Sequence, residues 1–261
     1  MWGTTLEICV DSVSGARTAA SAGAARIELC TALVEGGVTP STGLIMQVRA
    51  AVDASSSGST KLMVIVRPRG GDFVYDEDEL NVMVDDIAAC SVNGADGVVL
   101  GCLTPDGQVD AASTATLVQA AKHHELDITF HRAFDMSRDL SEALEVLISL
   151  GIPRVLTSGG QPTAMQGADV LAALVKQAAG RISVMAGGGV TADNAAELQA
   201  LGVPELHSSA KRKHHSVMQF RPPQLTMSSQ QPPSDYEWNM TDDQQVKSML
   251  MILSCPGLVD A

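Results

Sequence analysis

The sequence predicts a single-domain α/β protein of the (β/α)8, or TIM-barrel, class, and three observations predict it. Short β-branched runs alternate along the chain with longer Ala- and Leu-rich stretches of helical period. The alternation repeats eight times, the number that closes a parallel sheet into a barrel. Aromatic residues make up 3% of the 261 residues and hydrophobic residues 45%, so the core is aliphatic, as suits parallel strands covered on both faces. A doubly wound open sheet is the alternative, and no strand run here is followed by G-x-G-x-x-G.

In chain order, strands are expected at 6–10, 26–30, 61–67, 97–103, 127–131, 154–158, 182–186 and 205–208. Between them lie stretches of helical period, clearest at 140–150 and 168–179. Several of these close on a glycine just before the next strand: Gly23-Ala24, Gly94-Ala95, Gly151-Ile152 and Gly202-Val203. Glycine supplies the left-handed turn that ends a helix. After the eighth strand the pattern breaks into PPQLTMSSQQPPS at 222–234, so 222–240 is read as a flexible insertion. A last helix starts near Thr241-Asp242-Asp243 and runs to Leu253. The barrel domain thus takes in residues 1–261.

The net charge of −13 disfavours broad binding to nucleic acid or anionic lipid. The one basic cluster, Lys211-Arg212-Lys213-His214-His215, reads as a solvated loop. Five cysteines, an odd number with no secretory leader before them, point to a reducing, cytoplasmic setting. No apolar run is long enough to cross a membrane.

Side chains alternate across a strand, so parity sorts them into two faces. Leu6, Ile8 and Val10 oppose Glu7, Cys9 and Asp11; Ile27 and Leu29 oppose Arg26, Glu28 and Cys30. Leu62, Val64 and Val66 oppose Lys61, Met63, Ile65 and Arg67. Ile128 and Phe130 oppose Asp127, Thr129 and His131, and Leu206 opposes Glu205 and His207. The aliphatic face should meet the helices, which turns Glu7, Glu28, Arg67, His131 and His207 inward. Buried charges are costly unless paired, so the interior holds either a site or a set of internal salt bridges.

Functional residues of this fold gather where strands end. After the third strand, Arg67-Pro68-Arg69-Gly70-Gly71-Asp72-Phe73 offers Arg67 and Arg69 as a clamp for a carboxylate or phosphate. After the fifth, His131-Arg132-Ala133-Phe134-Asp135 offers His131 and Asp135 for acid–base work. Strand seven runs into Gly187-Gly188-Gly189 at a helix start, and Ser209 follows strand eight, together a candidate anion cup with Arg132. These residues suit an enzyme acting on a small anionic or phosphorylated metabolite, with Glu28, Arg67, His131, Asp135 and His207 as catalytic candidates.

Cys9 and Cys30 fall on neighbouring strands with the same inward parity. Two thiols so placed suit one soft ion, Cu(I), in near-linear coordination. Free cysteine is also among the most buried residue types, so spacing alone leaves both readings open.

The sequence resembles the CutC copper-homeostasis family. The matching segments run in order over roughly residues 6 to 221. They include EICVDS at Glu7, RIELC at Arg26, EGGVTPS at Glu35, RPRGGDF at Arg67, ADGVV at Ala95, TFHRAFD at Thr129, VLTSG at Val155 and the Gly187–Gly189 triplet. The resemblance implies a (β/α)8 barrel, a cytoplasmic setting, a homo-oligomer, and Cu(I) held by Cys9 and Cys30. It departs at position 208, a serine here where some relatives carry cysteine, and at 222–240.

Overall fold

A computed structural model describes residues 4–55, 59–222, 225 and 235–254. Eight parallel strands close into a barrel in sequence order. They are β1 (Thr5–Val10), β2 (Arg26–Leu29), β3 (Lys61–Ile65), β4 (Gly97–Leu100), β5 (Asp127–Phe130), β6 (Arg154–Thr157), β7 (Ser183–Gly187) and β8 (Glu205–Ser208). Alternating with them are α1 (Val13–Ala22), α2 (Thr42–Asp53), α3 (Glu77–Val92), α4 (Ala111–His123), α5 (Leu140–Ser149), α6 (Ala168–Ala178) and α7 (Ala192–Ala200). A two-stranded ribbon, β9 (Lys211–His215) with β10 (Glu237–Thr241), precedes α8 (Asp243–Ser254).

The helices start where short polar side chains cap them. Ser12, Ser41, Asp76, Asp110 and Asp139 each accept a hydrogen bond from a first-turn N–H. The glycines expected to end helices adopt left-handed backbone, with φ of 100° at Gly23, 86° at Gly94, 70° at Gly151 and 83° at Gly202.

Parity sorts the faces as expected. Leu6, Ile8, Val10, Ile27, Leu29, Leu62 and Val64 join the helices in the main core. Cys9, Cys30, Met63, Ile65 and Val99 form a separate apolar cluster. Strands three and four end two and three residues sooner than expected. There the loops take over the partners: the Arg67 N–H donates to Thr39 Oγ1 rather than to a strand.

Two expectations about the tail change. The basic cluster 211–215 is a strand, not a loop: Lys211 pairs with Thr241 and His215 with Glu237 in antiparallel register, and the His214 ring lies 4.8 Å from that of Trp238. Residues 237–240, inside the expected flexible insertion, supply its partner strand. Residues 223–224 and 226–234 of that insertion, and Cys255, lie outside the described residues. Helix α8 buries Val246, Met249 and Leu253 and packs on α1 and α7. No helix of the described residues is long and apolar enough to cross a membrane.

Candidate functional site

A cavity of about 470 Å³ opens at the carboxyl end of the strands, within the size range of small-ligand pockets. Its floor is built by β1 and β2. Cys9 stands opposite Glu28 in register and Cys30 one inward step further, which brings the two thiols to 3.2 Å. Donor atoms of Cys9, Glu28 and Cys30 all lie within 4.8 Å of one another, and all three residues are buried. The hydrogen bond to Cys30 and burial push the Cys9 thiol well up. At Cys30 the bond to Cys9 pulls down, but burial and the nearby carboxylates outweigh it and the thiol also rises.

His207 from β8 ties this floor to the layer below. Its Nδ1 lies 2.7 Å from Glu7 Oε1, and its Nε2 lies 3.6 Å from Glu28 Oε2. Burial alone would lower the His207 pKa; Glu28, Cys9 and Glu7 outweigh it and raise it well above the usual value. Burial would likewise raise Glu7, but His207 and Arg26 hold it down at about 2. Glu28, without a guanidinium of its own, is pushed up by burial. Beneath lies an ion-pair layer, the set of internal salt bridges expected as one reading of the inward charges. Arg26 bridges Glu7 and Glu205, and Arg154 bridges Glu205 at 2.9 Å and Asp127 at 3.0 Å. Parity placed Arg26 and Glu205 inward, but pairing across the barrel has no signal in a linear sequence.

The upper wall gathers Arg67, His131, Arg132, Gly188, Gly189 and Ser209. Arg67 is not a free clamp. It donates to the carbonyls of Glu35 (2.6 Å), Gly37 (2.9 Å) and Gly71 (2.7 Å), and its guanidinium lies 4.9 Å from the Phe73 ring centre. Its work is to pin two loops. The His131 Nδ1 accepts from the Ala133 N–H at 3.2 Å, so the ring's proton sits on Nε2, which has no partner among the described residues. Burial, then the charge of Arg67, lowers the His131 pKa to about 3.

Three expected site residues fall outside the cavity wall. Arg69 pairs with Glu79 at 2.5 Å and with Asp72 at 3.1 Å, because the loop carries it toward α3. Asp135 is a positioning residue: it accepts from Thr157, Ser158 and Gly160 and pairs with Arg132 Nε at 2.7 Å. Gly187 belongs to β7, where a Cβ would stand 2.5 Å from Leu156 Cδ1. It is glycine for close packing, not for an anion.

These shifts give a pH dependence. Unfolded histidine binds a proton near 6.5, whereas His131 resists until about 3. The unfolded chain therefore binds more protons as pH falls below 6.5, and the fold loses stability. Glu7, depressed from 4.5 to about 2, adds a second loss below 4.5. His207 acts in reverse: its contribution is full below 6.5 and is lost as pH rises through its raised folded value. Urea midpoints measured against pH should fall on acidification from 6.5, with the limb above 4.5 flattened in His131→Leu. Glu28, raised above 4.5, acts against this loss, so the comparison with the variant decides: a His131→Leu limb as steep as the wild type's contradicts the buried, neutral imidazole.

A model described as the CutC family matches residues 4–212. The chain is 43% identical over 248 residues to the Mus musculus copper homeostasis protein cutC homolog, covering 95% of this chain and 88% of that one. It is 43% identical over 251 residues to a CutC family protein of Glaesserella parasuis, covering 95% and 98%. Among solved structures it is similar to one named for the CutC copper homeostasis protein of Streptococcus agalactiae. That match has a TM-score of 0.73 and 33% identity, and covers 79% of this chain and 98% of the other.

Proposed function

This chain belongs to the CutC family, and on that premise we propose that it is a Cu(I)-binding copper-homeostasis protein of the cytoplasm, with Cys9 and Cys30 as the copper ligands. The observation that carries the reading is the buried thiol pair, 3.2 Å apart with the Glu28 carboxyl beside it. Thiolates are soft donors that favour Cu(I) over hard cations. Cys9 and Cys30 Sγ would hold the ion, with the Glu28 carboxyl within reach as a third donor. The described cysteines are all free, which supports a reducing compartment. The proposal extends to a homo-oligomer, to be read by light scattering.

Both thiols have raised pKa values, so binding displaces protons and the apparent affinity climbs with pH. In a Cu(I) titration against a competing chelator, Cys9→Ser and Cys30→Ser should each lose more than the about 10–100-fold that an outer-shell partner costs. Wild-type affinity in both variants rejects the reading.

A second reading, an enzyme acting on a small anionic metabolite, is favoured by an observation that a thiol pair leaves unexplained. The wall above the thiols carries donors without acceptors, His131 Nε2 foremost.

A further inference from the structure

The turns after β7 and β8 face each other across the mouth of the cavity. The Gly188 amide faces the β8 ladder, whereas the backbone N–H groups of Gly189 and Ser209 donate to no acceptor among the described residues. Gly188 and Gly189 have φ of 98° and 71°, backbone that side chains rarely tolerate. Helix α7 begins just beyond, so its positive end adds to the same spot. A Cβ on Gly188 would stand 3.3 Å from Ser158 Cβ and 3.5 Å from Arg132 Nη1. The turn is therefore held bare, and a guanidinium lies against it.

Arg132 is aimed rather than loose. Nε pairs with Asp135 at 2.7 Å, and Nη2 donates to Ser158 Oγ at 2.7 Å and to the Gln161 carbonyl at 3.3 Å. Nη1 alone has no partner among the described residues. His131, 5% exposed, lines the same cavity and carries the unpartnered Nε2–H. A buried donor without an acceptor is rare enough in native proteins to call for an occupant. Copper at Cys9 and Cys30 would satisfy none of these donors, all of which seek oxygen.

We propose that the mouth of the barrel is a binding site for a small phosphomonoester. The amides of Gly189 and Ser209 and Arg132 Nη1 hold the phosphate beside the bare Gly188, and the organic body lies in the cavity toward His131 and the thiol floor. A phosphate offers several acceptor oxygens to match convergent donors, whereas a carboxylate offers two. The net charge of −13 makes general attraction of anions unfavourable, so recognition rests on these local donors. The proposal rests on the metabolite reading for the class of ligand and is independent of copper.

The test uses the full chain, with glycerol 3-phosphate and inorganic phosphate as probes and glycerol and sulfate as controls. Isothermal titration should show the ester binding more tightly than phosphate or sulfate, with no response to glycerol. Arg132→Gln and Ser209→Asp should each weaken ester binding about tenfold or more, as loss of a charged hydrogen bond or a repelling carboxylate requires. Circular dichroism checks that both variants fold, and Ser209, in a half-buried turn, gives a readout should Arg132→Gln unfold. No binding by wild type, or undiminished binding by both variants, overturns the site. Equal affinity for phosphate and ester overturns the monoester assignment in favour of free phosphate. Turnover of a phosphomonoester panel, followed by phosphorus NMR, is read separately: binding without turnover keeps the site and removes the enzyme.

Discussion

Arg26→Met is expected to destabilise the fold by about 3–5 kcal/mol, the range for removing one partner of a buried ion pair. The Arg26 side chain is 8% exposed and joins Glu7, fully buried, to Glu205. Methionine keeps the volume but leaves Glu7 with His207 alone and Glu205 with Arg154 and the Ser183 hydroxyl. Glu7 and Glu205, two register steps apart on β1 and β8, then lose the guanidinium between them. The cost arises from stranded charge, so neutralising the stranded partner should recover much of it. In a double-mutant cycle Glu7→Gln with Arg26→Met should be less destabilised than the two single changes summed. Urea unfolding followed by circular dichroism reads each corner. A loss under about 1 kcal/mol for Arg26→Met, the level of a surface pair, would show that the layer is hydrated and the burial argument wrong.

Asp135→Ala is the second large effect, expected at about 2–4 kcal/mol from donors left without an acceptor rather than from a stranded charge, since the Arg132 side chain is 43% exposed. The carboxyl is 7% exposed and accepts from Thr157 Oγ1 (2.5 Å), the Ser158 N–H (3.0 Å) and the Gly160 N–H (3.0 Å). Alanine leaves a hydroxyl and two amides without an acceptor, each a desolvation cost. It also frees Arg132, so glycerol 3-phosphate should bind less tightly. Asp135→Asn retains an acceptor oxygen and should recover part of the stability while still loosening Arg132. If Asp135→Ala lowers stability and leaves ester affinity unchanged, Asp135 supports the loop alone and Arg132 is aimed by Ser158 and Gln161.

The inward ring of Cys9, Glu28, Cys30, His131 and His207 was legible because each residue stands at a fixed parity on a short strand. The alternation has period two whatever the neighbours are, so it survives in a linear reading. The rim was legible only in part. Gly188, Gly189, Ser209 and Arg132 meet at the mouth, where the strand ends place them. Arg69 resembled Arg67 in the sequence but lies against Tyr75 and Glu79, on the far side of its loop. Loop side chains have no periodic constraint, so a motif read as a clamp separates into two arginines with different partners.

Read alone, the residues determined the barrel, its strand order and which face of each strand turns to the axis, because these follow from local patterning and burial of aliphatic surface. The family followed from the same segments. Only the tertiary structure decided who pairs with whom: Arg26 between Glu7 and Glu205, Arg67 on three carbonyls, Asp135 under Arg132, and a basic stretch turned into a ribbon. Such choices depend on distances between chain segments as much as 200 residues apart, as for Glu7 and His207. A charge's partner is set by proximity in space, which no periodicity encodes.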